Sequence, residues 1–296
     1  MMLCFNSLGL LSYCISKIPE SIVDSLFFLE SPSQNRLSQG PVYPLQSVIA
    51  AENLTKTFRD RKRGLVRAVT DVSFQCQPGE IFGLLGANGA GKTTILRMLA
   101  TLLEPTQGSA VIARYDVKSQ PQDVRRSIGF LSGSTALYGR LTAKEMIRYF
   151  GQLNGLAGKK LQTRTSELIE QLEIGEFQDG RCDKLSTGQK QRVSIARSIV
   201  HRPPVMVFDE PTSGLDVMTS QTIMSFIEQC RSDGLTVVFS THIMSEVERL
   251  CDHVAIVHHG KIAAEGTVPE LRSKTQESAM EKVFLKIVNE LEEENV

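Results

Sequence analysis

Apolar and polar residues alternate along 48–54 and 66–76, the period of half-buried strands. Pro78-Gly79 then turns the chain into an unbroken apolar run, Ile81 to Leu85, and 94–100 follows with helical spacing. Gln107-Gly108 is another turn, and short strands are expected at 109–113 and 127–131. From about 140 to 203 the period turns helical. Thr142-Ala-Lys-Glu145 reads as a capping box ahead of Met146, Ile147, Phe150 and Leu153. Residues 161–172 form a second amphipathic stretch. Ser186-x-x-Gln189 opens a third, with Val193, Ala196, Ile199 and Val200 on one face, and Pro203-Pro204 stops it. The runs at 205–208 and 235–239 are wholly apolar, as buried parallel strands are. Helices are expected at 218–231, 243–251 and 279–293, and a hairpin at His259-Gly260. Strands alternating with helices predict a mostly parallel α/β sheet, with the helical run inserted between two strands.

Composition changes this picture little. Of 296 residues, 41% are hydrophobic and 22% charged, as in ordinary globular chains. Lys+Arg and Asp+Glu both number 33, so bulk charge argues against a nucleic-acid partner. The basic cluster at 59–63 reads as a solvated loop. Six cysteines without C-x-x-C spacing indicate reduced thiols rather than a zinc or redox site. No stretch reaches 18 uninterrupted apolar residues, so no membrane span is expected. Residues 1–46, Ser-, Pro- and Leu-rich without a sustained period, are expected to be a poorly ordered, dispensable extension.

The segment Gly86-Ala-Asn88-Gly89-Ala-Gly91-Lys92-Thr93 fits the phosphate-binding pattern G-x-x-x-x-G-K-[ST], and Thr94 continues it. Its setting between a strand and a helix is the one the motif needs. Glycines let backbone N–H groups turn inward around a polyphosphate, and the helix N-terminus adds partial positive charge. Lys92 is placed for the β- and γ-phosphates and the Thr93 hydroxyl for Mg²⁺. Asp209-Glu210 ends a buried strand, where α/β sheets bind ligands. Asp209 is a metal candidate, and Glu210 a general base for water attack on the γ-phosphate.

Leu185-Ser186-Thr-Gly188-Gln189 lies 94 residues after Lys92 and 23 before Asp209. With it, the sequence resembles the ATP-binding subunits of ABC transporters over about residues 47–296. Ser213-Gly-Leu-Asp216 is similar to that family's D-loop, His242 to its switch histidine, and Phe58 to the aromatic that stacks on adenine. The resemblance implies a P-loop NTPase (RecA-like) core with an N-terminal antiparallel β subdomain. The ATPase domain would span 47–278, its α-helical signature subdomain about 134–203, and a C-terminal helix 279–296. It further implies ATP and Mg²⁺ as ligands, and head-to-tail pairing with a second copy or a paralogue. ATP held by one Lys92 loop would be capped by Ser186, Gly188 and Gln189 of the other subunit, with Asp216 at the interface and His242 on the γ-phosphate. A separate integral-membrane permease, docked on 136–153, is implied as well, with a cytoplasmic location on the inner membrane face.

One departure stands out. Family members usually carry Gln where this chain has Gly133, between Ser132 and Ser134, and Gly offers no side-chain metal ligand. The segment 136–145, the Leu-Ser-Thr-Gly variant and Met280-Glu-Lys-Val-Phe284 are similar to the sodium-export branch, which implies export of Na⁺ or another small solute. Two rivals are weaker. A repair or translation ATPase of the superfamily would carry coiled coils, zinc modules or two ATPase units, and a binding-only regulator would lack Lys92, Asp209, Glu210 or His242.

Overall fold

The computed structural model describes residues 47–62, 64–132 and 137–294. The expected extension 1–46, together with Gly133 and Ser134, lies outside the described residues.

Two sheets organise these residues. In the first, β1 (Ile49–Asp60), β2 (Gly64–Cys76), β4 (Gln107–Ile112) and β5 (Tyr115–Asp116) run antiparallel in the order β2-β1-β4-β5. The hairpin outruns the alternation visible in the sequence. Phe58, Arg59 and Asp60 pair with Val66, Leu65 and Gly64, so Arg59 and Asp60 belong to β1 and not to the expected loop.

The second sheet holds β3 (Ile81–Leu85), β6 (Ile128–Leu131), β7 (Val205–Asp209), β8 (Thr236–Thr241), β9 (His253–His258) and β10 (Lys261–Gly266). Its order is β10-β9-β3-β8-β7-β6, parallel throughout except for β10 at the edge. Every residue of β3, β7 and β8 is buried, because helices or the first sheet cover both faces.

Helix α1 (Lys92–Leu99) leaves β3, and α2 (Pro121–Ser127) precedes β6. Between the neighbours β6 and β7 the chain inserts α3 (Ala143–Leu153), α4 (Gly158–Gln171) and α5 (Thr187–Ile199), which is the helical run expected from periodicity. Thr142 caps α3: its hydroxyl accepts the Glu145 N–H at 3.2 Å, and the Glu145 carboxylate accepts the Thr142 N–H at 2.9 Å. Then come α6 (Val217–Ser232), α7 (Met244–Leu250), α8 (Val268–Thr275) and α9 (Met280–Glu294).

Side-chain alternation along β3 divides the core. Phe82 and Leu84 point into a cluster shared with α1 and the first sheet, beside Ile49, Val69 and Leu96. Ile81 faces the helical insert, with Met146, Val193, Ile199 and Phe239. Leu85 joins a third cluster with Ile256, Met280, Val283 and Ile287, which seats α9. No helix among the described residues is long and apolar enough to cross a membrane. Cys76, Cys182, Cys230 and Cys251 are free thiols. Burial pushes the thiols of Cys182 and Cys230 up to about 11 and 12, which leaves them unreactive at neutral pH.

Candidate functional site

The adjacent strands β3, β8 and β7 end at one edge of the sheet, and their exits form the site. The phosphate loop follows β3. A Cβ at Gly86 would stand 2.4 Å from the Val257 carbonyl oxygen, so the loop starts where β9 presses against it. Gly91 has φ of 110° and would bring a Cβ within 2.7 Å of the Ala68 carbonyl oxygen. Only glycine serves at either place. Lys92, 4% exposed, donates from Nζ to the carbonyls of Gly86 (2.6 Å) and Ala87 (3.1 Å).

Opposite the loop, Asp209 Oδ1 accepts the Thr93 hydroxyl at 2.9 Å and the Ser240 hydroxyl at 2.8 Å. Glu210 comes next in left-handed backbone, φ 47°, and its N–H donates to Ser240 Oγ at 3.0 Å. Two side-chain nitrogens converge on its carboxylate: Lys92 Nζ stands 3.4 Å and His242 Nδ1 3.3 Å from Glu210 Oε1. Lys92, Thr93, Asp209, Glu210 and His242, proposed from three separate motifs, therefore meet in one cluster.

A cavity of about 490 Å³ opens above it. Asn88, Gly89, Gly91, Lys92, Thr93 and Thr94 line one wall, and Asp209, Glu210 and Ser213 another. Ser132 lines it too, one residue before Gly133, the residue at the position of the usual glutamine. Thr187 and Gln191, from the first turns of α5, also face the cavity. Phe58 is not among the lining residues. It lies exposed on β1 with the Lys56 ammonium 5.5 Å above its ring.

The signature segment builds the start of α5. Ser186 Oγ accepts the Gln189 N–H at 3.2 Å, and the Gln189 side chain accepts the Ser186 N–H at 2.9 Å. A Cβ at Gly188 would meet Thr219 Oγ1 at 2.9 Å, so α5 packs tightly on α6 there. Thr219 in turn binds Asp216, which caps α6 by accepting the Thr219 N–H (2.9 Å) and hydroxyl (2.8 Å). These bonds, the backbone one first, hold the Asp216 carboxyl below its ordinary range.

Sequence reasoning missed two supports. Ser240 bridges Asp209 and Glu210, and only the pairing of β7 with β8 sets it opposite Asp209. Buried Glu246 of α7 accepts the hydroxyls of Thr212, after β7, and Thr241, at the end of β8, so it ties together the two loops that carry Glu210 and His242.

A phosphate loop facing a strand-end carboxylate pair across a parallel sheet defines a P-loop nucleotide hydrolase. A family model described as ABC transporter matches residues 69–213. The chain is 40% identical over 239 residues to the ABC transporter ATP-binding protein NatA of Bacillus subtilis (strain 168), spanning 80% of this chain and 97% of that one. A solved ATP-binding subunit of an ABC transporter superposes with a TM-score of 0.74 at 26% identity, covering 82% of this chain and all of the other. A dimeric ATP-binding cassette in a post-hydrolysis state, bound to ADP and Pi, superposes at 0.67 and 26% identity, covering 74% and 98%. The chain belongs to the ATP-binding subunits of ABC transporters and is an ATP hydrolase. Such subunits act as dimers that power a separate membrane permease.

Proposed function

We propose that the cluster around Asp209 and Glu210 is the hydrolytic centre. The observation that carries this is the convergence of Lys92 and His242 on one Glu210 oxygen, beside an Asp209 oxygen that gathers two hydroxyls. Lys92 leaves its carbonyl partners and Glu210 for the β- and γ-phosphates, since the polyphosphate offers more negative charge. The loop N–H groups of 86–94 bind the same phosphates. Freed of Lys92, Glu210 accepts a proton from the attacking water, a contribution of about 10²–10⁴-fold. His242, already 3.3 Å from Glu210, orients toward the γ-phosphate.

The Thr93 hydroxyl and Asp209 carboxylate are hard oxygen donors that fit Mg²⁺, which neutralises phosphate charge when bound. Ser132 lines the cavity beside the position where the family usually carries Gln. Phe58, exposed on β1, stacks on adenine. Across a head-to-tail dimer, Ser186, Gly188 and Gln189 cap the partner's ATP, and Asp216 lies at the interface.

By this reading 47–278 is the ATPase domain, about 134–203 its signature subdomain, and 279–296 an appended helix. Tyr138, Tyr149 and Phe150, in mutual ring contact, form the aromatic part of the permease-docking surface. The partner is a second copy or a paralogue. The assembly sits on the inner membrane face and exports Na⁺ or another small solute, a reading supported by the Leu185-Ser-Thr-Gly variant and Met280-Glu-Lys-Val-Phe284.

The test is phosphate release by the purified chain. Asp209→Asn should abolish Mg²⁺-dependent turnover and leave the fold intact by circular dichroism. Undiminished turnover in that variant would remove Asp209 from the centre.

A further inference from the structure

Away from the ATP site, His258 ends β9, His259 opens the turn to β10, and Glu292 lies in the last turns of α9. One ligand atom from each of the three comes within 4.8 Å of the others. Adjacent strand residues normally point to opposite faces. Here His259 has φ of 45°, which swings its ring round to 4.1 Å from that of His258. His258 Nε2 is buried and makes no hydrogen bond. A carboxylate oxygen, Glu292 Oε1, stands 3.5 Å from it. A buried imidazole nitrogen held only at ion-pair distance, with no hydrogen bond, is better satisfied by a ligand that binds it directly.

We propose that His258, His259 and Glu292 bind a borderline-soft divalent metal, Zn²⁺ in the first instance, which staples the end of α9 to the β9–β10 turn. Two nitrogens and one carboxylate oxygen are the donor set Zn²⁺ favours over Mg²⁺. Two donors about 2.1 Å from a tetrahedral Zn²⁺ stand roughly 3.4 Å apart, close to the spacing of His258 Nε2 and Glu292 Oε1. His259 and Glu292 are exposed and free to close the remaining distance, and water completes the fourth position.

The site reaches the phosphate loop through backbone. Gly260, next to His259, donates its N–H to the Ala90 carbonyl at 2.8 Å and accepts the Thr70 N–H at 2.8 Å. Val257, next to His258, supplies the carbonyl behind Gly86. Metal binding thus fixes α9 to the turn that backs the phosphate loop.

The test is titration of the full chain with Zn²⁺ in excess Mg²⁺, followed by calorimetry, beside His259→Ala and Glu292→Gln. Both changes fall on exposed side chains and spare the fold, whereas His258 is largely buried. Wild type should bind one equivalent, and each variant at least about tenfold more weakly, since even outer-shell changes cost that much. Hydrogen exchange over 286–293 should slow with Zn²⁺ in wild type alone. Equal binding by all three proteins, which would put the metal on another site such as Asp209 or a thiol, overturns the proposal. So does the absence of binding by wild type at sub-millimolar free Zn²⁺.

Discussion

Asp209 Oδ1 accepts hydroxyls from both Thr93 and Ser240, and the second bond orders the first. Ser240 is fully buried, donates to Asp209 and accepts from the Glu210 N–H, so one side chain fixes the Asp209 carboxylate and the backbone of Glu210. Ser240→Ala should therefore leave the buried Asp209 oxygen short of a donor and lower stability by about 1–3 kcal/mol. Urea denaturation measures that loss, and the Mg²⁺ concentration for half-maximal turnover should rise with it. An unchanged Mg²⁺ requirement would show that Ser240 supports the fold alone. At this scale the sequence reveals what lies along the chain. Lys92, Thr93 and the Asp209-Glu210 pair announce themselves through local spacing. Ser240, Glu246 and the Val257 carbonyl behind Gly86 do not, because their roles exist only once β9, β3, β8 and β7 lie side by side.

At the scale of elements, α5 carries two demands on the same residues. Ser186 and Gln189 close a capping box within the subunit and are proposed to cap the partner's ATP. Substitution can separate these roles. Gln189→Glu keeps a capping residue at the third helical position, so thermal stability should hold. Its added negative charge should weaken ATP-driven dimerisation, read by light scattering. Ser186→Ala should lower both, stability by about 1 kcal/mol. Dimerisation unaffected by Gln189→Glu would confine that residue to the cap. Long amphipathic elements were legible in the sequence: α3, α5 and α6 stand where period and caps put them. The short α2 buries only Val124 and so shows no period. The expected strand pattern also passed over α8, although Thr267, Pro269 and Glu270 mark its start.

At the scale of the molecule, the parallel sheet sets the phosphate loop, Asp209-Glu210 and His242 at one edge, while the helical insert presents α5 to the same cavity. That cavity opens along the face where a second subunit is proposed to close it. Deleting residues 1–45 should leave ATP turnover and its Mg²⁺ dependence unchanged, since no site residue falls there. Loss of soluble folded protein would contradict that expectation. The parallel core and the insertion between β6 and β7 could be read from alternation and run length. The second, antiparallel sheet is implied by the family resemblance, whereas the seating of α9 against Leu85 and Ile256 depends on long-range packing that local pattern does not encode. Glu210 is proposed to drive hydrolysis whose completion reopens an ATP-closed dimer. The decisive experiment measures turnover together with size-exclusion in ATP, wild type beside Glu210→Gln. Turnover should fall about 10²–10⁴-fold in the variant, with ATP retained and a stable dimer formed. Normal turnover, or a variant that binds ATP yet stays monomeric, would remove Glu210 from this role.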